Sequence, residues 1–182
     1  VVSLIVSEFG KIDILVNNAA YHQYHPIDTS SYEHWQTQWN VTLGINILGT
    51  ANLTYCVSQN MIQNQNGKII FVSSRGAFRG EPDMPAYGAS KAAVNAMAQS
   101  LAQKLAPHNI HIGTVAPGFV ETDLTKSVLE GEKGAAIKSQ SPMNRVAQPK
   151  EVAHAILFFA DENSIWTTGA ILDINGASYL RT

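Results

Sequence analysis

The stretch Lys68-Ile69-Ile70-Phe71-Val72-Ser73-Ser74 decides the fold class of this chain. Its apolar residues are consecutive rather than alternating, which is typical of a strand in a parallel sheet that is buried on both faces. Comparable short apolar runs occupy 12–16, 110–115 and 170–174. Helical patterns separate these runs, so the sequence predicts an α/β domain with helices on both faces of a doubly wound parallel sheet.

Glycine and proline mark the ends of the predicted helices. Gly10 follows the first helix, and Pro85 and Pro149 open two later ones. A long helical pattern occupies 31–63. We expect a non-helical loop at 75–83 and a mobile flap at 119–140, because glycine or proline interrupts both segments. The interrupting residues are Gly76, Gly80 and Pro82 in the loop, and Gly131 and Gly134 in the flap.

Composition limits the classes of function that fit the chain. Its 182 residues are enough for one domain, and only 14% of them are charged, which suggests that a partner subunit or further chain covers part of the surface. A net charge of -2 without a basic stripe argues against a nucleic-acid partner. No apolar run is long enough to span a membrane. The single cysteine, Cys56, fits a reducing, cytoplasmic location, and we expect it in the core.

Polar and small residues follow three of the predicted strands at the point where each strand ends. Because ligands of such sheets bind beyond the carboxyl ends of the strands, we expect these residues to share one edge. They are Asn17-Asn18-Ala19, Ser73-Ser74 and Pro117-Gly118.

Tyr87 and Lys91 stand four residues apart in a predicted helix, so they lie on the same face. A nearby cation lowers the pKa of a phenol, which is one way to make tyrosine a general acid and base. The bare spacing also fits an ordinary solvated helix face. Asn46, among apolar neighbours, is either a special polar group or a buried amide satisfied by backbone.

His22 and His25 could together bind a metal, but no third ligand has useful spacing. We therefore expect no metal site, and we interpret both histidines as residues of a substrate loop.

The order of these residues resembles the short-chain dehydrogenase/reductase family in its classical form. Ser74 precedes Tyr87 by 13 residues, the usual interval of that family. Further matches follow in family order along nearly the whole chain: Asn17-Asn18-Ala19-Ala20 for N-N-A-G, Asn46 for the helix asparagine, Tyr87-x-x-x-Lys91, Pro117-Gly118-Phe119-Val120-Glu121-Thr122-Asp123 for P-G-x-V-x-T-D, and 169–176 for the last strand region.

The resemblance implies a Rossmann-like fold and hydride transfer between NAD or NADP and a small carbonyl or secondary alcohol. Tyr87 would be the general acid and base, and Lys91 would lower its pKa and hold the nicotinamide ribose. Ser74 would bind the reacting oxygen, and Asn46 would hold a water that relays protons from Lys91. The implied cofactor contacts are completed by Asn17 and Ala19 on the adenosine-ribose side, and by Pro117, Gly118, Val120 and Thr122 near the nicotinamide.

Two residues beside the catalytic set are candidate substrate contacts, Arg75 and Phe119. For Arg75 the alternative is a surface ion pair with Glu81 or Asp83. The resemblance also implies a homodimer or homotetramer.

The printed sequence departs from the family at its start, where the T-G-x-x-x-G-x-G phosphate loop is missing. Residues 1–182 would then form a single, incomplete, N-terminally truncated domain with family strands four to seven, and an interior strand would become an edge. NAD and NADP cannot be told apart, because the deciding residues follow an earlier strand. The alternatives are a redox-inactive homologue that serves as a binding or assembly module, and an enzyme that uses Ser74 as nucleophile. No G-x-S-x-G elbow supports the latter.

Overall fold

The chain forms one parallel sheet with helices on both faces, which confirms the predicted doubly wound α/β arrangement. The structure is a computed structural model that describes residues 1–181. Within these residues four strands run in the order β1-β2-β3-β4: β1 (Ile14–Asn17), β2 (Gly67–Val72), β3 (Ile110–Pro117) and β4 (Ile171–Ile174). Val16 is in register with Ile70, and Ile70 with Gly113. All carboxyl ends of the strands therefore meet at one edge.

Eight α-helices connect the strands in the described part of the chain. Two of them, α3 and α5, form most of one layer, and α8 covers the opposite face. Their bounds are α1 (Val2–Phe9), α2 (Tyr32–Leu43), α3 (Thr50–Asn64), α4 (Gly76–Arg79), α5 (Pro85–Leu105), α6 (Asp123–Glu130), α7 (Gly134–Lys138) and α8 (Pro149–Ala160).

Alternate residues of β2 enter two separate cores, as expected when a strand has both faces buried. Ile69 and Phe71 pack with residues of α3 and α5, including Met61 and Val94. Ile70 faces the other side and packs against α8. The continuous apolar run in the sequence thus serves both layers.

Close contact between β3 and α8 depends on a glycine. A Cβ at Gly113 would overlap the ring of Phe159, which is buried at 5% exposure. The absence of a side chain at this position lets α8 lie directly on the sheet.

The outer strand β1 is covered on one face only, which corrects the expectation that every strand is buried on both. Ile14 and Val16 are 49% and 38% exposed. Both side chains are on the face of the sheet that α8 covers farther along, at β2 and β3. The expectation that this strand forms an edge is confirmed.

Three segments differ from their sequence-based interpretation. The long helical pattern is divided by a π-helical segment, Gly44–Gly49, which follows α2 and precedes α3. The loop predicted as non-helical contains α4, which ends where Gly80 has a φ of 78°. Segment 119–140 contains α6 and α7, and a capping box at Thr122 starts α6. Cys56 is exposed on α3, so its assignment to the core was wrong.

Candidate active site

A cleft of about 480 Å³ lies beyond the carboxyl ends of the strands. The structure brings together most of the residues that the sequence singled out. The predicted residues that line this cleft are Ala19, Ser74, Arg75, Tyr87, Lys91, Pro117, Gly118, Phe119, Val120 and Thr122.

Tyr87 and Lys91 are presented side by side by α5, one turn apart. The Lys91 ammonium lies 5.7 Å from the centre of the Tyr87 ring. Lys91 is only 4% exposed, and its Nζ donates a hydrogen bond of 2.7 Å to the carbonyl oxygen of Val72 at the end of β2. An ammonium has three donors, so two remain for other partners.

Burial controls the protonation of this pair. It lowers the pKa of Lys91 from 10.5 to about 8. It raises the pKa of Tyr87, while the interaction with the Ser74 side chain partly offsets that rise. The phenol is therefore neutral at neutral pH, and the structure shows the opposite of the expected lowering. A neutral phenol is the form that can donate a proton to a carbonyl oxygen.

Ser74 is held in the cleft by the start of α4. Its Oγ accepts a hydrogen bond of 3.0 Å from the backbone N–H of Gly76. The hydroxyl proton stays available, because a serine hydroxyl carries one donor as well as its acceptor lone pairs. Ser74 can therefore donate to an oxygen bound between it and Tyr87.

Asn46 lies behind the cleft, in the π-helical segment, and is 1% exposed. Its Oδ1 accepts from the backbone N–H of Tyr21, and its Nδ2 donates to the Tyr21 carbonyl and to Ser90 Oγ. Ser90 Oγ in turn donates to the Tyr87 carbonyl. Both hydrogens of the Asn46 amide are used in these bonds. This agrees with the alternative interpretation of Asn46 as a buried asparagine that is satisfied largely by backbone. The contacts shown join the Tyr21 loop to the turn of α5 that carries Tyr87 and Ser90.

Asn17 does not line the cleft. Its Nδ2 donates to Thr54 Oγ1 of α3, so the side chain points into the interior. The next residues along the chain, Asn18, Ala19 and Ala20, reach the cleft instead.

His25 caps α5 rather than contacting the cleft. It is fully buried, and its Nε2 accepts from the backbone N–H of Ala86 in the first turn of α5. Its Nδ1 lies 2.7 Å from the carbonyl oxygen of Gln23, which can only accept. The ring is therefore the neutral tautomer with its proton on Nδ1. The interpretation of His25 as a substrate-loop residue was wrong for this reason.

His22 does line the cleft, with its ring centre 5.7 Å from that of Tyr87 in an edge arrangement. Sequence reasoning missed Glu81, which also lines it. Burial raises the pKa of Glu81, and Arg79 acts against this rise. The sequence signal for Glu81 was its place in the loop between Ser74 and Tyr87, two residues that line the same cleft.

Thr122 and Val120 form the far wall of the cleft and hold the start of α6. Thr125 Oγ1 donates to the Val120 carbonyl at 2.6 Å and accepts from the Thr122 N–H at 2.9 Å. Residues 1–181 contain no group of three or more potential metal-ligating side chains. None of the helices described there is long and apolar enough to cross a membrane.

The fold and the cleft together define a class of protein: an oxidoreductase of Rossmann-like architecture. A family model described as "Enoyl-(Acyl carrier protein) reductase" matches residues 1–177. The 3-oxoacyl-(acyl-carrier-protein) reductase of Thermotoga maritima is 38% identical over 176 residues, which are 97% of this chain and 70% of that protein. An uncharacterized short-chain type dehydrogenase/reductase of Sinorhizobium fredii is 35% identical over 174 residues, 94% of this chain and 67% of that protein. The chain belongs to the short-chain dehydrogenase/reductase family.

Solved structures agree with this assignment. NAD+-bound xylitol dehydrogenase superposes with a TM-score of 0.86 at 28% identity, covering 95% of this chain and 71% of that one. A gluconate 5-dehydrogenase from Burkholderia cenocepacia, in complex with NADP and tartrate, gives 0.89 at 27% identity, with coverage of 97% and 68%.

The cofactor of this family is NAD or NADP, and the donors in the cleft fit part of such a molecule. Lys91 has two unused ammonium hydrogens beside the Tyr87 phenol, a combination that suits the hydroxyl pair of a ribose. The 182 residues contain no glycine-rich turn for the pyrophosphate. The residues present therefore fit the nicotinamide riboside end.

Proposed function

We propose that the protein transfers a hydride between NAD(P)(H) and a carbonyl or secondary alcohol, with Tyr87 as the general acid and base. The observation that carries this proposal is the convergence of Ser74, Tyr87 and Lys91 on one cleft at the carboxyl edge of the sheet. The nicotinamide, when bound, supplies or accepts the hydride, and the protein positions the groups and moves the proton.

Each side chain has a role that matches its contacts. Ser74 donates its free hydroxyl proton to the reacting oxygen and fixes that oxygen near the Tyr87 phenol. Tyr87, kept neutral by burial, gives its proton to this oxygen in reduction and takes it back in oxidation. Lys91, braced by the Val72 carbonyl, holds the ribose hydroxyls and stabilises the phenolate when it forms.

The other residues of the candidate site have supporting roles. Pro117, Gly118, Val120 and Thr122 form the wall for the nicotinamide, and Ala19 contacts the adenosine-ribose side. Asn46 positions the turn that carries Tyr87, because its amide binds Ser90, which binds the Tyr87 carbonyl. The segment 119–140 is the mobile flap that closes over substrate.

The deciding experiment compares Tyr87→Phe with Tyr32→Phe in a carbonyl reduction assay, both in a chain that carries the strand-turn-helix segment of a relative ahead of Val1. Tyr32 is 73% exposed on α2 and does not line the cleft, so it is a matched control. We expect Tyr87→Phe to lose at least about 100-fold in kcat, the usual size of a general acid contribution, and Tyr32→Phe to keep full activity. Undiminished turnover by Tyr87→Phe would remove Tyr87 from the mechanism.

Cofactor binding calls for a separate measurement. We expect the isolated 182-residue polypeptide to bind NAD(H) and NADP(H) weakly, because it has no phosphate loop in its sequence. A fusion of the strand-turn-helix segment of the Thermotoga maritima relative ahead of Val1 should restore binding. Micromolar affinity of the isolated polypeptide by calorimetry would contradict this expectation. A fusion that binds dinucleotide and reduces no carbonyl would favour a redox-inactive binding or assembly module.

We also propose a homodimer or homotetramer located in the cytoplasm. Large apolar side chains are exposed at several places, among them Leu53 and Tyr55 on α3, and Leu157 and Trp166 on and after α8. The free, exposed thiol of Cys56 fits a reducing compartment. Light scattering that gives a monomer mass at assay concentration would reject the oligomer.

A further inference from the structure

Arg75 is a buried cation that the proposed chemistry does not use. It follows Ser74 directly, and its side chain and backbone leave it only 3% exposed. Its backbone N–H donates to the Pro117 carbonyl, so the residue is fixed between the ends of β2 and β3. Its guanidinium lies 5.5 Å from the ring centre of Phe119.

The partners of this guanidinium are neutral. Nη1 donates to Ser178 Oγ and Nη2 to Gln140 Oε1, each at 2.5 Å. Among residues 1–181 no carboxylate forms an ion pair with Arg75, whereas Glu81 lies 3.8 Å from Arg79. The ion pair with Glu81 that was the alternative role for Arg75 is therefore made by Arg79. Of the five guanidinium donors, the described residues take two.

Arg75 also stands between two cavities. It lines the cleft that contains Tyr87, and it lines a second cavity of about 160 Å³ next to Phe119, Ser141 and Ser178. A ligand whose reacting oxygen is at Tyr87 can therefore extend past Phe119 to the guanidinium.

Resting on the proposed function, we propose that the substrate of this site is an oxo or hydroxy acid whose carboxylate binds the Arg75 guanidinium. The planar fork of arginine matches a carboxylate in geometry and charge, which neutral donors would not do. Burial lowers the pKa of Arg75, and the Arg79 charge lowers it further, while the Glu81 charge acts against both. An anion in the cleft would reverse this unfavourable environment.

A purely structural role for Arg75 makes a different prediction. In that case the residue only ties Gln140 and Ser178 to the end of β2, and its loss would affect acidic and neutral substrates alike. The proposed role requires that the loss of Arg75 lower kcat/KM for the acidic substrate alone.

The test uses 3-oxobutanoate and its methyl ester, which share the reacting ketone and differ in charge. In the cofactor-loaded protein we expect kcat/KM for the acid to exceed that for the ester by about 10- to 100-fold, the range for charge-assisted hydrogen bonds. Arg75→Gln should remove this preference through a higher KM for the acid. Arg75→Lys should keep part of it, and Arg181→Gln, a control that lines neither cavity, should keep all of it.

Equal kcat/KM for acid and ester in the wild type would overturn the proposal, as would an equal loss for both substrates in Arg75→Gln. If that variant fails to fold, Arg75→Lys decides the question, because it keeps the charge but loses the fork.

Calorimetry with 3-hydroxybutanoate and its methyl ester separates this proposal from the proposed function. Binding of the acid but not the ester, lost in Arg75→Gln, supports the carboxylate site even if no ketone is reduced. Absence of acid binding in a protein that reduces neutral ketones overturns the site and leaves the redox function intact.

Discussion

Replacement of Lys91 by methionine should make the protein more stable at neutral pH while it abolishes carbonyl reduction. Burial lowers the pKa of Lys91 from 10.5 to about 8, so the charged form at pH 7 costs the folded state about 3 kcal/mol. Methionine fills a similar volume without charge. It leaves the Val72 carbonyl without its donor, a loss of about 1–2 kcal/mol. The net expectation is a gain of about 1–2 kcal/mol.

The pH dependence gives this prediction its distinctive signature. Between about pH 8 and 10.5 the unfolded chain keeps the Lys91 proton and the folded protein releases it. The unfolded state binds more protons there, so the stability of the wild type rises with pH over this window. The methionine variant has no such group, and its advantage should shrink as the pH approaches 10.

Urea unfolding at several pH values from 7 to 10 measures the difference directly, and shared groups cancel between wild type and variant. Lys104→Met is the control, because Lys104 is exposed on the same helix. The reasoning is refuted if Lys91→Met is less stable than wild type at neutral pH, or if the difference between the two does not change with pH.

The other predictions concern the site and its supports. Carbonyl reduction should decline as the pH rises through about 8, since Lys91 then loses the charge that stabilises the phenolate; a flat initial-rate profile up to pH 10 would exclude this role. His25→Phe should lower the free energy of unfolding by about 1–3 kcal/mol, because it leaves the buried Ala86 N–H without an acceptor. His154→Phe, at an exposed histidine, should have little effect in the same denaturation assay. Gly113→Ala should destabilise by about 1–3 kcal/mol through overlap with Phe159, and Phe159→Leu added to it should recover part of the loss.

The strands could be predicted from the sequence because a run of consecutive apolar residues indicates a strand that is buried on both faces. Ile69, Ile70 and Phe71 are all fully buried, and only helices on both faces of the sheet account for this. The same rule failed for β1, whose Ile14 and Val16 are apolar yet exposed, because strand pattern does not reveal which layers are present beside it. The prediction that Cys56 lies in the core failed for a similar reason. The pattern of a helix shows which residues share a face, but it does not show what covers that face.

The residues that line the cleft were predictable as a set, whereas their contacts were not. Tyr87 and Lys91 share a helix face by spacing alone, and Ser74 follows a strand that ends at the same edge. The partners of Asn46 and the Ala86 N–H that donates to His25 lie 25 to 61 residues away in the chain, so only the folded structure identifies them. The pKa of Tyr87 was predicted in the wrong direction, because proximity to a cation is visible in the sequence and desolvation is not.

Lys91 and Arg75 are two positions at which a buried charge lowers the stability of this fold. Both are almost fully buried cations, both have a pKa lowered first by desolvation, and both donate to neutral oxygens. Burying a charge without an opposite charge is unfavourable unless something else in the site compensates. The two residues line the same cleft, one beside Tyr87 and one at the boundary with the second cavity. Ligand groups rich in oxygen, a ribose at Lys91 and a carboxylate at Arg75, would supply that compensation. Ligand binding should therefore stabilise the protein through both residues.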